Sequence, residues 1–394
     1  MKQIPNGIKV LSWATGVRWF GWGFVEALIP IFLYQFTQDY LSAGLLTAAY
    51  YVSFLLFLPF AGALGDRTSA RTLVLIGLLL YPIIGLGYVL AGVFGSVSLV
   101  IAARFLNGPA YALDVVGRNT YIRRHARRKI IATTFGYFDT VSNFWWVAAL
   151  LLSLFAVAYV PLHMMFAAVS IMAVAALLII YFGLPPDMKK TSGTNLLETY
   201  GSFVPAVMKW NKGLKYAGFF VLFLGFLGTI VSFFIPIYVY TEGGTLQQVI
   251  LITAVFTIPA LFSRWLGGIA DRLGTNSIFI GTALLVPLIA ALGFVAYEAQ
   301  LALAFLIGVV TQLVTLSSQG IVTRLAQSSH YGRVEGAMQV IETAGSVVGP
   351  TALGAAMVIS GESAVFMMCA LVAAVVLFVM VGGRVHLEQT GLRM

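Results

Sequence analysis

The chain has 394 residues, of which 60% are hydrophobic and 9% are charged, and its mean hydropathy is +0.95. This composition excludes an ordinary soluble protein and favours a chain embedded in a lipid bilayer. The net charge of +9 would suit nucleic acid, but the basic residues are placed as membrane-topology signals, so no nucleic-acid partner is expected. The lone Cys369 lies in the last apolar run, which excludes a disulfide framework and a cysteine-based metal site.

Apolar segments of about 20 residues or longer follow one another along the chain, as a hydrocarbon core of roughly 30 Å requires. They predict twelve transmembrane helices, at 10–36, 43–64, 73–95, 97–121, 130–156, 162–184, 217–240, 246–270, 277–297, 300–326, 336–360 and 363–383. The sequence therefore predicts an all-α membrane protein whose two halves, 1–184 and 217–394, are joined by a linker at 185–216.

The linker is basic and begins at a Pro185-Pro186 pair, which ends the sixth predicted helix. Within it, Asn195 followed three residues later by Glu198 is a helix-capping pattern, which predicts a short interfacial helix over 195–208. Pro205 would kink or end that helix.

The loops differ in charge on the two sides of the predicted membrane. The basic residues outside the predicted helices all lie on one side of the membrane. The loops on the opposite side carry acidic residues and no lysine or arginine. Those acidic residues are Asp39, Glu242, Glu298 and Glu362. By the positive-inside rule, both termini and the linker are cytoplasmic, in an integral protein of the plasma (inner) membrane.

A short motif at the end of the second predicted helix recurs 205 residues later, at the end of the eighth. The first copy reads Gly62-Ala-Leu-Gly-Asp66-Arg67-Thr-Ser-Ala-Arg71, and the second reads Gly267-Gly-Ile-Ala-Asp271-Arg272-Leu-Gly. Ile29-Pro30-Ile31 in the first helix likewise matches Ile235-Pro236-Ile237 in the seventh. Repeats at matching places indicate two related halves.

These loops resemble the cytoplasmic loops of the major facilitator superfamily, and the resemblance covers essentially the whole chain. It implies two pseudo-symmetric six-helix bundles around a cavity near the membrane midplane, and transport by alternating access. It also implies that Asp66 caps the first turn of the eleventh helix and holds the outward-facing state, with Arg67, Arg71, Asp271 and Arg272 as the other gating residues. The alternative is that each aspartate only pairs locally with the arginine that follows it.

The eleventh predicted helix contains Gly349-Pro350, in a glycine-rich stretch expected where helix backbones approach closely. This stretch resembles the glycine–proline motif that efflux members of the family carry in their fifth helix. Here the fifth helix, at 136–146, lacks the motif. Uptake therefore stays open as an alternative to export.

Ionisable side chains inside the predicted helices need a physical reason, because a charge at bilayer depth costs at least about 2.5–3.5 kcal/mol. They are Arg18, Glu26, Arg104, Asp114, Arg118, Asp139, Arg264 and Glu342. Arg18, Trp22 and Glu26 are spaced four apart, which predicts one stripe on the first helix. The stripe suits a protonatable carboxylate beside a substrate; the alternative is that Glu26 forms a structural ion pair with an arginine.

The fourth predicted helix contains Arg104-Phe-Leu-Asn107-Gly108, which resembles a family pattern whose arginine is associated with proton transfer. Since arginine keeps its proton, Arg104 would act by setting the pKa of a neighbouring carboxylate, the alternative being a packing role. Asp114 and Arg118 are one turn apart and predict a salt bridge in a structural charge network. Arg264 is expected to play a similar structural part.

Further candidates lie in both halves. Asp139 and Glu342 occupy corresponding helices and, together with Asp114, are candidates for proton coupling beside Glu26. The predicted substrate-binding residues are Arg18, Trp22, Glu26, Asp139, Asn143, Trp146, Gln312 and Gln319. The histidines lack metal-ligand spacing and there is no phosphate-binding or nucleophile motif, so no metal, cofactor or enzymatic activity is expected.

Together these features predict a proton-coupled secondary active transporter for a small organic solute, acting as a monomer in the bilayer. The aromatic and acidic lining favours efflux of amphipathic or cationic compounds. Proton-coupled uptake of a small metabolite is one alternative, and a non-transporting receptor with the same fold is another.

Overall fold

A computed structural model of the chain describes residues 4–126, 131–187, 210–325 and 331–388. In these ranges the regular elements are helices, grouped into segments that we label in chain order. They are α1 (Asn6–Thr37), α2 (Tyr40–Arg67), α3 (Ala70–Phe94), α4 (Val97–His125), α5 (Ile131–Ala156), α6 (Leu162–Gly183), α7 (Lys212–Thr241), α8 (Leu246–Thr257, Ile258–Phe262 and Ser263–Leu273), α9 (Asn276–Leu292), α10 (Tyr297–Leu325), α11 (Tyr331–Ser360) and α12 (Glu362–Glu388).

Within the described ranges, ten helices are long and apolar enough to cross a membrane. Two further apolar helices, Leu246–Phe262 and Asn276–Leu292, are shorter. Together they occupy all twelve predicted positions, with ends that differ from the prediction by a few residues. The interfacial helix predicted over 195–208 lies outside the described residues.

The chain divides into two compact units. Unit 1 contains Met1–Gln38, Ala49–Tyr200 and Gly244–Leu251, and unit 2 contains Asp39–Ala48, Gly201–Gly243 and Ile252–Met394. The functional division into halves at 185–216 stays a prediction.

Unit 1 is built on close contacts of α3 with α4 and α6, and of α1 with α5 and α6. Small residues allow these contacts, since a Cβ on Gly77 would lie 2.8 Å from the backbone oxygen of Ala110. Buried aromatic rings fill the space between helices, and the rings of Tyr88 and Phe166 stack with their centroids 4.6 Å apart. The unit therefore combines backbone proximity with aromatic packing.

The first membrane segment is not one continuous α-helix. The α-helix ends at Gly23, a 3₁₀ turn covers Glu26–Leu28, and the α-helix resumes at Ile29. Pro30 lies in the first turn of the resumed helix, and a proline has no N–H to donate to the carbonyl of residue 26. The single stripe of Arg18, Trp22 and Glu26 expected from helical spacing is therefore wrong, because the helix breaks before Glu26.

The seventh segment is irregular at the matching place. Ile230–Phe234 forms a π-helical turn directly before Ile235-Pro236-Ile237, the second copy of the Ile-Pro-Ile repeat. Both copies of this repeat therefore follow a local departure from α-helical geometry, of different kinds.

Unit 2 contains a close contact between α7 and α11. A Cβ on Gly225 would overlap the backbone oxygen of Glu342, one on Gly345 would overlap the backbone oxygen of Leu222, and one on Gly349 would overlap Thr229. Glycines on both helices thus let the two backbones approach more closely than side chains would permit.

Asp187, just after α6, accepts hydrogen bonds from the first turn of α3. Its carboxylate accepts from the backbone N–H of Ala70 at 2.9 Å and of Arg71 at 3.1 Å, and from Arg124 Nη1 at 2.7 Å. Arg124 Nη2 also donates to the backbone oxygen of Gly65 at 3.0 Å. Burial would raise the pKa of Asp187, but these donors outweigh it and hold that pKa below its usual range. The carboxylate thus caps α3 and ties it to α4 and to the segment after α6.

We expect Gly225→Ala to lower the thermal unfolding midpoint, since the added methyl group must push α7 away from α11, at a cost of about 1–3 kcal/mol. Gly228→Ala is the matched control, because Gly228 lies on the same helix and its Cβ would meet no atom within 4 Å. Unfolding in detergent, followed by intrinsic fluorescence, measures both. Equal midpoints for the two variants would contradict the close contact.

Asp187→Asn should destabilise the protein by about 1–2 kcal/mol at pH 7, because an amide cannot replace a carboxylate at both oxygens. The contribution of Asp187 is present above the pKa of an unfolded aspartate, about 3.9, and is lost as pH falls through its lower folded-state pKa. The gap between wild type and variant should therefore be full above about pH 4 and narrow progressively as the pH falls below it.

Asp39→Asn is the control for that measurement. Asp39 Oδ2 accepts from the backbone N–H of Ser42 at 2.7 Å, a cap position where asparagine serves as well as aspartate. Equal losses for the two variants, or a gap that does not change with pH, would count against the capping role of Asp187.

Candidate functional site

A group of charged residues lies buried between α1 and α4 of unit 1. Arg18 Nη2 is 3.1 Å from Asp114 Oδ2, and Arg118 Nε is 3.2 Å from Asp114 Oδ1. Arg18, Asp114 and Arg118 are 3%, 1% and 2% exposed. The salt bridge predicted between Asp114 and Arg118 is therefore present. Arg18, whose partner the sequence did not identify, pairs with the same carboxylate.

Aromatic rings surround these charges. Arg18 Nη1 donates to the Tyr81 hydroxyl at 3.3 Å, and the Arg18 guanidinium carbon lies 5.0 Å from the centre of the Tyr81 ring. The Arg118 guanidinium carbon lies 5.5 Å from the Phe138 ring centre and 5.8 Å from that of Trp19. We call Arg18, Tyr81, Asp114 and Arg118 the Asp114 cluster. Sequence reasoning missed Tyr81, since a tyrosine in an apolar run carries no signal of its own.

A second group surrounds Glu26. Its half-buried carboxylate interacts electrostatically with Arg104, which is 3% exposed. The Arg104 guanidinium carbon lies 5.2 Å from the Tyr50 ring centre, and Tyr88 interacts electrostatically with both charges. We call Glu26, Tyr50, Tyr88 and Arg104 the Glu26 cluster. The break in α1 places Glu26 near Arg104 rather than in a stripe with Arg18.

The glycine that follows Arg104 has a packing role in the structure. A Cβ on Gly108 would overlap Ser53 and Phe54 of α2, so the glycine allows α2 and α4 to approach closely. This close approach brings Tyr50 of α2 over Arg104 of α4. The sequence pattern that singled out Arg104 therefore includes the residue that builds its surroundings.

The α5 candidates differ in exposure. Asp139 is exposed and interacts electrostatically with Arg118, and Asn143, one turn further on, is half-buried. The ring of Trp146 meets that of Trp19 edge-to-face at 5.8 Å. Trp22 is 6% exposed and packs edge-to-face on Tyr81. In this structure both tryptophans therefore contact other protein rings.

The candidates of unit 2 lie on α10 and α11. Gln312 Nε2 donates to Ser263 Oγ at 2.9 Å, which links α10 to α8, while Gln319 is exposed on α10. Glu342 is half-buried on α11, and Gly349 with Pro350 lies buried further along the same helix. The described contacts of these residues do not show that they bind a solute.

The gating candidates are described only in part. Arg71 Nη2 donates to the backbone oxygen of Tyr181 at 2.6 Å, and Arg272 is exposed in the last turn of α8. The side chains of Asp66, Arg67, Arg264 and Asp271 lie outside the described residues. The contact predicted between Asp66 and the start of the eleventh helix therefore stays a prediction. A carboxylate that does cap a helix in unit 1 is Asp187, which sequence reasoning missed because nothing local marks it.

No group of three or more His, Cys, Asp or Glu side chains that could hold a metal ion occurs among the residues that the structure describes. The clusters instead pair carboxylates with arginines and phenols, an arrangement suited to binding charge and moving protons within a membrane.

These features define a class, a polytopic all-α membrane protein with paired charges among its helices. The family model of the Major Facilitator Superfamily matches residues 11–297 and 218–390, so the chain belongs to that family. The resemblance expected from the repeated loops and the all-α fold are thereby confirmed.

Curated relatives match only part of the chain. The quinolone resistance protein NorA of Staphylococcus aureus is 25% identical over 136 residues, which are 34% of this chain and 34% of that protein. The chain thus aligns with about a third of the length of the curated relatives it matches.

Solved structures match over nearly the whole chain. A variant of the nucleoside transporter NupG has a TM-score of 0.80 at 15% identity and covers 96% of this chain and 100% of its own. The human organic anion transporter MFSD10 has a TM-score of 0.70 at 16% identity and covers 95% of this chain and 99% of its own. At such identities the likeness shows the fold alone.

We expect Asp114→Asn to destabilise the protein strongly, by about 3–5 kcal/mol, because two buried arginines lose their shared counter-charge. Thermal unfolding in detergent measures the loss. Adding Arg118→Gln should restore part of the stability, since one uncompensated cation is then removed. A single variant that unfolds at the wild-type temperature would show that the ion pairs do not support the fold.

Proposed function

We propose that the protein is a proton-coupled secondary active transporter that moves a small amphipathic organic solute across the membrane by alternating access. The observation that carries this proposal is the pairing of carboxylates with arginines inside the membrane helices of unit 1, in a chain of the Major Facilitator Superfamily. Charges at that depth are costly, so retained ones are candidates for proton relays and substrate sites.

Glu26 is the residue to which we assign the main proton-coupling role. Its carboxylate lies at a break in α1 and interacts with Arg104. Because arginine keeps its proton, protonation of Glu26 would leave Arg104 without this counter-charge and alter the balance between conformations. The alternative, that Glu26 and Arg104 only lock helices together, predicts transport that is insensitive to titration at residue 26.

Asp139 is the second candidate for proton coupling, since it is exposed on α5 and interacts with Arg118. Glu342 is the third and lies half-buried on α11. Asp114 is also a candidate, but its position between two arginines supports a structural role. We therefore rank Glu26 first, Asp139 next and Glu342 last.

Export is the direction we favour, because a third of the chain is similar to a quinolone resistance protein. Uptake remains the alternative, favoured by the absence of the efflux-type glycine–proline motif from residues 136–146 of α5. A receptor that does not transport would need no titratable carboxylate in its membrane helices. Proton release or uptake on adding solute to purified protein separates a coupled transporter from such a receptor.

The accompanying proposals concern placement and gating. We propose that both termini and the basic linker are cytoplasmic in the plasma (inner) membrane, and that the protein acts as a monomer. Asp66, Arg67, Arg71, Asp271 and Arg272 would form the cytoplasmic gating loops, which stabilise one conformation without touching the solute.

Glu26→Gln tests the proposal in proteoliposomes with an imposed pH gradient, with a quinolone antibiotic as the first solute tried. We expect the wild type to concentrate the solute and Glu26→Gln to abolish accumulation while leaving downhill exchange, because the amide keeps the shape but cannot titrate. Asp139→Asn should give a partial loss and Glu342→Gln a smaller one.

Glu298→Gln is the matched control, because Glu298 is an exposed glutamate in the first turn of α10 and should leave accumulation unchanged. Accumulation by Glu26→Gln with a normal pH profile would assign Glu26 to a structural ion pair and transfer its role to Asp139. A solute that binds without any proton movement in the wild type would contradict proton coupling.

A further inference from the structure

The described hydrogen-bond donors of the Asp114 cluster exceed its acceptors. Arg18 and Arg118 together carry ten N–H donors by their chemistry, and Asp114 is the carboxylate that both contact. Arg18 Nε and Arg118 Nε are buried and donate no hydrogen bond within the described residues. Within the cluster two cations share one carboxylate, and Arg118 also interacts electrostatically with Asp139, which is exposed on α5.

The contacts to Asp114 are also poorly directed. Arg18 Nη2 and Asp114 Oδ2 are at ion-pair distance, 3.1 Å, but do not meet at a hydrogen-bonding angle. The same holds for Arg118 Nε, at 3.2 Å from Asp114 Oδ1. Asp114 therefore compensates charge while Arg18 Nε, Arg18 Nη2 and Arg118 Nε donate no hydrogen bond within the described residues. Those donors suit a second planar oxyanion, which arginine binds in a bidentate manner.

The surroundings add aromatic surface and another donor. The Trp22 ring packs on Tyr81 and buries an indole N–H that has no acceptor among the described residues. The Trp19 ring, which is half-buried, lies 6.0 Å from the Arg18 guanidinium carbon and 5.8 Å from that of Arg118. Trp19 therefore supplies an aromatic surface next to both arginines.

A cationic group fits this unit less well. Each of three carboxylates in this unit has an arginine nearby. Glu26 interacts with Arg104, and Asp139 interacts with Arg118. Asp114 pairs with both Arg18 and Arg118. A positively charged solute would have to compete with two arginines for Asp114, and beside Glu26 or Asp139 it would meet the repulsion of the nearby arginine. The preference for cationic compounds drawn from the sequence therefore loses support in unit 1.

We propose that Arg18 and Arg118 form an anion subsite that binds the carboxylate of an aromatic organic acid or zwitterion. This proposal rests on the proposed transport function and names the class of its solute. Asp114 acts as a positioning residue, which holds the two guanidinium groups side by side without using their full donor capacity.

Three probes on one ring system test the subsite: 2-naphthoate, the neutral 2-naphthamide and the cationic 2-naphthylmethylammonium. Binding to the purified full chain is measured from the rise of the unfolding temperature over a concentration series. We expect naphthoate to bind at least about tenfold more tightly than either other probe, the increment of one charge-assisted bidentate contact.

Arg18→Lys and Arg118→Lys keep the charge next to Asp114 but remove the planar fork, so the fold should survive. Each should weaken naphthoate binding by about tenfold and leave naphthamide binding unchanged. Arg384→Lys is the matched control, because Arg384 is exposed on α12 in unit 2, where it bonds Asn276, and all three affinities should stay at wild-type values.

The proposal is overturned if the ammonium probe binds as tightly as naphthoate, or if naphthoate fails to bind the folded protein at millimolar concentration. Unchanged naphthoate affinity in Arg18→Lys and Arg118→Lys proteins with normal unfolding curves would overturn it as well. Proteoliposome assays separate it from the proposed function. If the protein selects the carboxylate probe but moves no probe together with protons, the proposed transport function is contradicted and the subsite is not. If only the ammonium probe moves together with protons, the subsite is contradicted and the transport function is not.

Discussion

The shared ion pair of Asp114 with Arg18 and Arg118 is the constraint on which unit 1 depends most. Charges in a bilayer-embedded unit are tolerated only with partners, so the position of Asp114 on α4 determines where α1 must place Arg18. Tyr81 extends the constraint to α3 by accepting a hydrogen bond from Arg18. Three helices are thus held in register by one carboxylate, and the aromatic residues of α1 and α5 pack around the result.

Repeated sequence produces related but unequal local structure. The Ile-Pro-Ile repeat follows a 3₁₀ turn in α1 and a π-helical turn in α7, because a proline in the first turn of a helix leaves the preceding carbonyls without their usual donors. In α1 this irregularity falls on Glu26, an ionisable residue next to Arg104. In α7 it falls on the apolar run Ile230–Phe234, where no ionisable side chain is present. The repeat therefore predicts the place of a break, and the residue at the break decides its chemistry.

The fold could be predicted because a membrane helix needs little more than apolar length, and the charged candidates could be predicted because ionisable residues are rare in such helices. Their partners could not be predicted. Spacing along one helix predicted the Asp114–Arg118 pair, but the partner of Arg18 lies on another helix, and only tertiary contacts identify it. Asp187 was missed for the same reason, since its bond partners at Ala70 and Arg71 are more than 100 residues away in sequence. The stripe through Glu26 failed because a continuous helix was assumed across Pro30.

Glycines allow close helix contacts in both units, but the described ion pairs lie in unit 1. In unit 2, α7 and α11 approach through Gly225, Gly345 and Gly349, contacts that depend on shape and not on charge. In unit 1, the described ion pairs join α1 to α4 through Asp114, and α4 to the segment after α6 through Asp187. A change of local charge would therefore act directly on the ion pairs of unit 1, whereas the contact between α7 and α11 depends on shape. For this reason the proton coupling that we propose is centred on unit 1, with Glu26 as its first candidate.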